Sequence, residues 1–176
     1  MPLTPYDHLD QTFNTPSGVA DYLYWAPVSW FTTIACYDPN VAGTDTIIQG
    51  NHAFLAGKGF LKFLLAPDKN KFNAQTIGEK GSKKFSNAIE AFFPGSWALQ
   101  HSFFKNALNT PGIAMIKDSN CPANLWYQVG CDCNYAWMTP SFDTGMTRDG
   151  QKGYTCTIDS TSDAVYFYGG TLTLFP

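Results

Sequence analysis

Short apolar stretches alternate with turn residues along most of the chain, and this spacing predicts β-strands. In residues 84–93, Phe85, Ile89, Ala91 and Phe93 are apolar at even spacing, as in a strand with one buried face. The same two-residue period runs through 154–159. Strands are predicted at 46–52, 59–66, 72–77, 84–93, 112–117, 125–129, 154–159 and 165–175, separated by turn residues at the spacing typical of a sandwich or barrel.

One hairpin has the clearest pattern. The predicted strands 72–77 and 84–93 flank the turn sequence Gly-Glu-Lys-Gly-Ser at 78–82, and another turn is predicted at 67–70. Just before the turn at 67–70, the apolar run in 59–66 is nearly continuous, which predicts a strand buried on both faces.

A single segment, 96–109, has the period of a helix. Trp97, His101, Phe104 and Leu108 lie four, three and four residues apart, which places them on one side of a helix. Ser96 is a suitable N-cap, so a helix is predicted with this stripe facing a sheet.

Proline and glycine set the remaining boundaries. Residues 1–20 show little periodicity and are predicted to form an N-terminal arm. Pro27 predicts an edge or bent strand within 22–37, and loops are predicted at 38–45 and 140–153. The predicted fold is therefore mainly β: an antiparallel sandwich or barrel over residues 21–176, with one α-helix near 96–109 and a long protruding hairpin.

The composition excludes several classes of protein. Charged residues make up 14% of the chain and aromatic residues 16%, the opposite of a disordered chain. No run of 18 apolar residues occurs, so no membrane span is predicted. Arg148 is the only arginine and the net charge is −3, which disfavours a sequence-specific nucleic-acid binder.

Groups suited to catalysis are scarce. The histidines are His8, His52 and His101, the only glutamates are Glu79 and Glu90, and no nucleophile elbow occurs. We predict that the protein is not an enzyme and has no catalytic residues and no cofactor.

The five cysteines predict free thiols, because their number is odd and the N-terminus lacks the pattern of a secretory signal. The alternative is a zinc site that uses Cys131 and Cys133 with Cys121. That set is one Cys-x-x-Cys pair short of a usual zinc motif, so no metal is predicted.

The most unusual feature is the charge of the hairpin. Residues 69–84 carry a net charge of +4, whereas the rest of the chain carries −7. Such a dipolar subunit can stack head to tail on copies of itself. The predicted inter-subunit contacts are the five lysines of this segment, Lys69, Lys71, Lys80, Lys83 and Lys84. The alternative is that this charge run is only a solvated face.

Five motifs in order suggest a family. They read Gly-Glu-Lys-Gly-Ser-Lys-Lys-Phe at 78–85, Ile-Glu-Ala-Phe-Phe-Pro-Gly-Ser at 89–96, Pro-Gly-Ile-Ala-Met-Ile-Lys-Asp at 111–118, Gly-Gln-Lys-Gly-Tyr at 150–154 and Tyr-Phe-Tyr-Gly-Gly at 166–170. Over residues 46–176 this order resembles the tail-tube and related virion proteins of tailed bacteriophages, especially those of Bacteroidetes hosts.

The resemblance implies a β-sandwich with one helix, six of which form a ring whose inner sheets join into a barrel. Rings stack into a tube around an acidic lumen, and DNA passes through without sequence-specific binding. A long hairpin loop reaches between rings, and residues 69–84 are its match. Further implied partners are other tail or capsid proteins, and the implied location is the virion, assembled from protein made in the host cytoplasm.

Three other functions remain open from the sequence. One is a phage capsid or tail accessory protein. Another is a non-viral carbohydrate-binding module on a β-sandwich, with the five tryptophans as stacking platforms: Trp25, Trp30, Trp97, Trp126 and Trp137. The third is a hydrolase on a β scaffold, which the few histidines and glutamates disfavour.

Overall fold

The structure is a computed structural model, and it describes residues 18–38, 46–119, 125–146 and 150–176. In these ranges the chain forms twelve strands, one α-helix and a short 3-10 helix at Val28–Trp30. The strands are β1 (Val19–Pro27), β2 (Phe31–Thr33), β3 (Ile47–Ile48), β4 (Ala53–Phe54), β5 (Leu61–Leu64), β6 (Lys71–Ile77), β7 (Lys84–Pro94), β8 (Gly112–Asp118), β9 (Trp126–Val129), β10 (Trp137–Asp143), β11 (Gly153–Ser162) and β12 (Tyr166–Tyr168), and the helix is α1 (Ala98–Ala107).

The strands form two main sheets. One has six strands in the order β3-β12-β9-β8-β1-β5, and the other has four in the order β10-β11-β7-β6. Neighbouring strands are antiparallel, except for the parallel pair β12 and β3. A small third sheet pairs β2 with β4. The predicted mainly-β sandwich with a single helix is confirmed for the described part of the chain.

The main core lies between the two large sheets. Leu23, Ala114 and Ile116 enter it from the six-stranded sheet, and Ile89 and Ile158 enter it from the four-stranded sheet. Each of these side chains is fully buried. Because alternate residues of β7 and β11 point into this core, the residues between them form the outward face of the four-stranded sheet.

A second core covers the other face of the six-stranded sheet. Ile113, Met115 and Tyr168 are its fully buried centre, and Phe31 and Phe54 of the β2–β4 pair pack over it. The six-stranded sheet is therefore covered on both sides, which explains why its central strand β8 is apolar at successive positions.

The strand predicted in 59–66 is not buried on both faces. β5 is an edge strand, and the exposed fraction of Leu64 is 66%. The doubly buried strand is β8, in which five successive residues, 112–116, are buried. An apolar run alone could not distinguish these two places, because it contains no information about which strands are neighbours.

The two predictions that involved proline are corrected in part. Of the two alternatives for the segment with Pro27, an edge strand is wrong, because β1 lies between β8 and β5. The strand ends at Pro27, and the chain continues as the 3-10 helix Val28–Trp30, so the segment is interrupted there. Conversely, the predicted loop 140–153 begins inside strand β10, where Pro140 pairs with Cys156. β10 is an edge strand, the position in a sheet where a residue without an N–H group is tolerated.

The helix is confirmed, but its buried side was predicted incorrectly in part. The N-cap position belongs to Trp97, and the Oγ atom of Ser96 instead bonds Nε2 of His101 at 3.0 Å. Trp97 is 66% exposed and Leu108 48%, whereas Phe104 and Ala107 are buried. The helix thus covers the core with a narrower stripe than the spacing predicted.

Two predicted segments fall largely outside the described residues. Of the arm predicted at 1–20, the structure describes residues 18–20, and β1 already begins at Val19. Of the loop predicted at 38–45, it describes residue 38 alone. In the described ranges, no helix has the length and apolar character needed to cross a membrane.

Candidate functional site

The basic hairpin is confirmed as β6 and β7, joined by the turn 78–83. β7 pairs with β6 on one side and, from Phe85 to Pro94, with β11 on the other. Most of the hairpin is therefore part of the four-stranded sheet. Only the turn and the pair Ile77 and Lys84 extend beyond β11, so the protrusion is shorter than predicted.

Two of the five predicted contact lysines already have partners within the subunit. Nζ of Lys71 lies 3.0 Å from Oε1 of Glu90, its neighbour across the two strands. Nζ of Lys69 lies 4.8 Å from the ring centroid of Phe92. Both cations therefore have partners on their own sheet. For this reason Lys69 and Lys71 are less suited than the other three lysines to bind another subunit.

The other three lysines, Lys80, Lys83 and Lys84, are exposed at or beside the turn. They concentrate positive charge at one end of the sandwich. We call this group the lysine tip. That any of the five lysines contacts another subunit stays a prediction.

A cleft of about 540 Å³ lies beside the lysine tip. The start of β7, the end of β11 and the connection between β9 and β10 surround it. Its polar wall includes Lys84, Asn87, Gln128, Ser160, Thr161 and Asp163. No sequence pattern had indicated this cleft, because its residues are far apart in the chain and each is common in loops and strand ends.

Asn87 is the most informative residue of the cleft. Its side chain is 2% exposed, and its Nδ2 donates to Oγ of Ser162 at 2.6 Å and to the carbonyl of Ala164 at 3.3 Å. These two bonds fix the orientation of the amide. Oδ1 is buried and has no hydrogen-bond partner in the structure. A buried acceptor without a donor is costly, so the site favours a group that donates to it.

Two tyrosines form an aromatic wall of the same cleft. The rings of Tyr37 and Tyr166 are stacked, with centroids 5.1 Å apart and planes inclined by 21°. The hydroxyl of Tyr166 donates to Oδ1 of Asp163. Burial, together with this carboxylate, raises the pKa of Tyr166 well above its usual value. The tyrosine therefore remains a neutral donor.

Beneath the cleft, His52 holds Gln128 in place. Nδ1 of His52 accepts the Ala35 N–H at 3.1 Å, so Nε2 carries the proton and donates to Oε1 of Gln128, also at 3.1 Å. Nε2 of Gln128 donates to the carbonyls of Ala35 and Gly130. This network fixes one neutral tautomer of His52, and burial lowers the pKa of its imidazole to about 4.

The lowered pKa of His52 predicts a loss of stability in mild acid. The unfolded chain takes up a proton on His52 below its ordinary pKa of about 6.5, whereas the folded chain does so only near 4. Stability from this group is complete above about pH 6.5 and falls by up to roughly 3 kcal/mol as pH drops to 4. Urea unfolding from pH 7 to pH 4.5 measures this change. A His52→Asn variant should show a shallower pH dependence; an equal slope in both proteins would contradict the prediction.

The cysteine prediction is wrong for two of the five residues. Cys36 and Cys131 form a disulfide, with Cα atoms 5.7 Å apart and a sequence separation of 95. It ties the chain after β2 to the loop after β9. The zinc alternative loses Cys131, because a disulfide sulfur is not a thiolate ligand. The third residue of that set, Cys121, lies outside the described residues.

The two other described cysteines have free thiols in different surroundings. Cys133 is exposed, whereas Cys156 is buried in the main core, and burial raises the pKa of its thiol to about 12. In a Cys121→Ser variant without reductant, we expect one thiol to react with Ellman's reagent in the native protein and two after denaturation. Four reactive thiols after denaturation would contradict the disulfide.

The structure places the histidines and the tryptophans in different surroundings. His8 lies outside the described residues, His52 is buried, and His101 is bonded to Ser96 and to the hydroxyl of Tyr154. Among the tryptophans, Trp25 and Trp126 are buried and the ring of Trp30 stacks on Phe175. The large exposed tryptophans are Trp97 and Trp137, so a platform built from all five is excluded.

No protein-family model, no curated protein and no solved structure matches this chain.

Proposed function

We propose that the protein is a structural virion subunit of a tailed bacteriophage, and specifically the tail-tube subunit. It associates with itself into rings, and the rings stack around a lumen that conducts DNA. It is made in the host cytoplasm and located in the virion, and it has no catalytic role. The sequence motifs at 78–96, 111–118, 150–154 and 166–170 suggest this function.

The observation that carries the proposal is the form of the four-stranded sheet. It is open, and its edge strands β6 and β10 have no further strand beside them among the described residues. All its neighbours are antiparallel, so with four strands the two edges run in opposite directions. If one subunit is rotated about a ring axis onto the next, β6 of the first comes beside β10 of the second in antiparallel orientation. Head-to-tail contacts of this kind close into rings.

The outward face of this sheet suits the lining of a DNA channel. Because Cys156 and Ile158 point into the core, Thr155, Thr157 and Asp159 of β11 point outward. Lys71, on the edge strand β6, is paired with Glu90 of β7. Apart from the exposed Trp137 and Ile77, DNA would therefore meet polar side chains and few unpaired cations on this face. Tight binding to phosphate needs such cations.

The lysine tip suits contact between rings. It lies at one end of the sandwich, at the ends of the strands rather than along their edges, and the rest of the chain outside 69–84 carries −7. Contacts within a ring would then use strand edges, whereas contacts between rings would use charge.

A pair of proline variants tests the ring contact. In an edge strand, the N–H groups of successive residues point alternately toward the neighbouring strand and away from it. Of Asn73→Pro and Ala74→Pro in β6, we expect one to lower the melting temperature and the other to leave it nearly unchanged. The variant that melts normally should fail to form rings by analytical ultracentrifugation. Formation of rings by that variant would contradict a ring contact through the edge of β6.

A further inference from the structure

We propose that the cleft beside the lysine tip is a binding site for an uncharged saccharide. The inference goes beyond the structural role in the virion and does not depend on it. It rests on a cavity, a buried unpartnered acceptor and an aromatic wall, all in one place.

The first requirement on the ligand comes from Asn87. Its Oδ1 is fixed in orientation, buried and without a donor. A bound molecule that places a hydroxyl or an N–H beside Oδ1 would satisfy this acceptor. Its binding would then recover most of the free energy that the unpaired acceptor costs the unbound protein. Ser160 and Thr161 on the same wall add hydroxyl groups, each of which can donate or accept. The site is therefore suited to a ligand with several hydroxyl groups.

The second requirement comes from charge. The cleft is lined by one cation, Lys84, and one carboxylate, Asp163, and the carboxylate already accepts from Tyr166. Because the lining has one positive and one negative charge, it selects neither an anion such as a phosphate nor a cation. An uncharged ligand is the best match.

The third requirement comes from shape. The stacked rings of Tyr37 and Tyr166 add aromatic carbon to the lining beside the polar wall. A pyranose ring has the same two-sided character, with C–H groups on one face and hydroxyls around its rim. A volume of about 540 Å³ lies in the range of ordinary small-molecule sites.

The walls of the cleft are preorganised by contacts described above. Gln128 is held by His52, and Cys131 is held by its disulfide to Cys36. Both lie in the lining, so little side-chain freedom would be lost on binding.

Protection of Cys133 provides a direct test, because this exposed thiol also lines the cleft. In a Cys121→Ser background, the rate of Cys133 alkylation by N-ethylmaleimide is measured with four probes: the methyl glycosides of glucose, mannose, galactose and N-acetylglucosamine. We expect at least one to slow alkylation, with half-maximal effect at about 1–10 mM, as for a weak site. No protection by any of the four would overturn the proposal. Equal protection by adenosine would also overturn it, in favour of a site for planar rings.

Matched variants locate the effect. Tyr37→Ala should weaken protection about tenfold by removing the aromatic wall, whereas Tyr22→Ala, which removes an exposed tyrosine elsewhere, should leave it unchanged. Asn87→Leu should abolish protection, and Tyr37→Ala is sufficient if that variant does not fold. Unchanged protection in Tyr37→Ala would place the saccharide outside the cleft and refute the assignment.

Discussion

Removal of the Cys36–Cys131 disulfide is expected to lower the free energy of unfolding by about 4–5 kcal/mol. The bond closes a loop of 95 residues, and a crosslink across so long a loop removes many conformations from the unfolded chain. It also fastens the segment that follows β2 over the second core. A loss of this size is a large part of the stability of a domain of this length.

The measurement is urea unfolding of a Cys36→Ser, Cys131→Ser double variant beside the oxidised wild type. Cys133→Ser is the matched control, because it removes a neighbouring exposed thiol without opening the loop. We expect the control to unfold like the wild type. A loss below about 1 kcal/mol in the double variant would show that the disulfide contributes little, far below what the length of the loop predicts.

Reversal of the charge of the lysine tip is expected to stop rings from stacking. Replacement of Lys80, Lys83 and Lys84 by glutamate changes the charge of each subunit by six. A single exposed ion pair contributes roughly 0–1 kcal/mol, but every subunit of a ring repeats the contact. Because all three side chains are exposed and outside both cores, the variant should still fold and melt cooperatively.

The matched control makes the same change of charge elsewhere. Lys62, Lys105 and Lys152 are exposed lysines away from the tip, and their replacement by glutamate should leave stacking intact. Moderate salt should weaken stacking of the wild type, because it screens exposed charges. If tip variant and control stack equally well at low salt, the lysine tip is only a solvated turn.

The sequence predicted those parts of the fold in which local pattern and local contact coincide. The hairpin of β6 and β7 has its turn, its period and its partner within one stretch of chain, and the structure confirms all three. β11 was predicted for the same reason, since alternate residues face a core. The helix was also found, because it is the one segment with a period near 3.6.

Neighbours distant in sequence were not predictable in this way. The place of β5 at an edge and of β8 in the centre depends on which strands pair, and their own residues do not encode that choice. β10 was missed because Pro140 is unfavourable for a strand unless the strand is known to lie at an edge. The disulfide was missed because an odd number of cysteines gives no information about distance across 95 residues.

Of the two candidate sites, one could be predicted from the local sequence and the other could not. The lysine tip could be found from a charge run, because its residues are neighbours in the sequence. The cleft could not be found, because Tyr37, Asn87 and Gln128 come from separate parts of the chain. The signal that identifies it, a buried amide oxygen without a donor, exists only in three dimensions.

Electron microscopy of the purified protein at low salt tests the central claim most directly. If the protein is a tail-tube subunit, negatively stained images should show rings with a central channel, and stacks of rings at higher concentration. The tip variant should give rings that do not stack. A wild-type protein that remains a monomer at every concentration would contradict the proposed function.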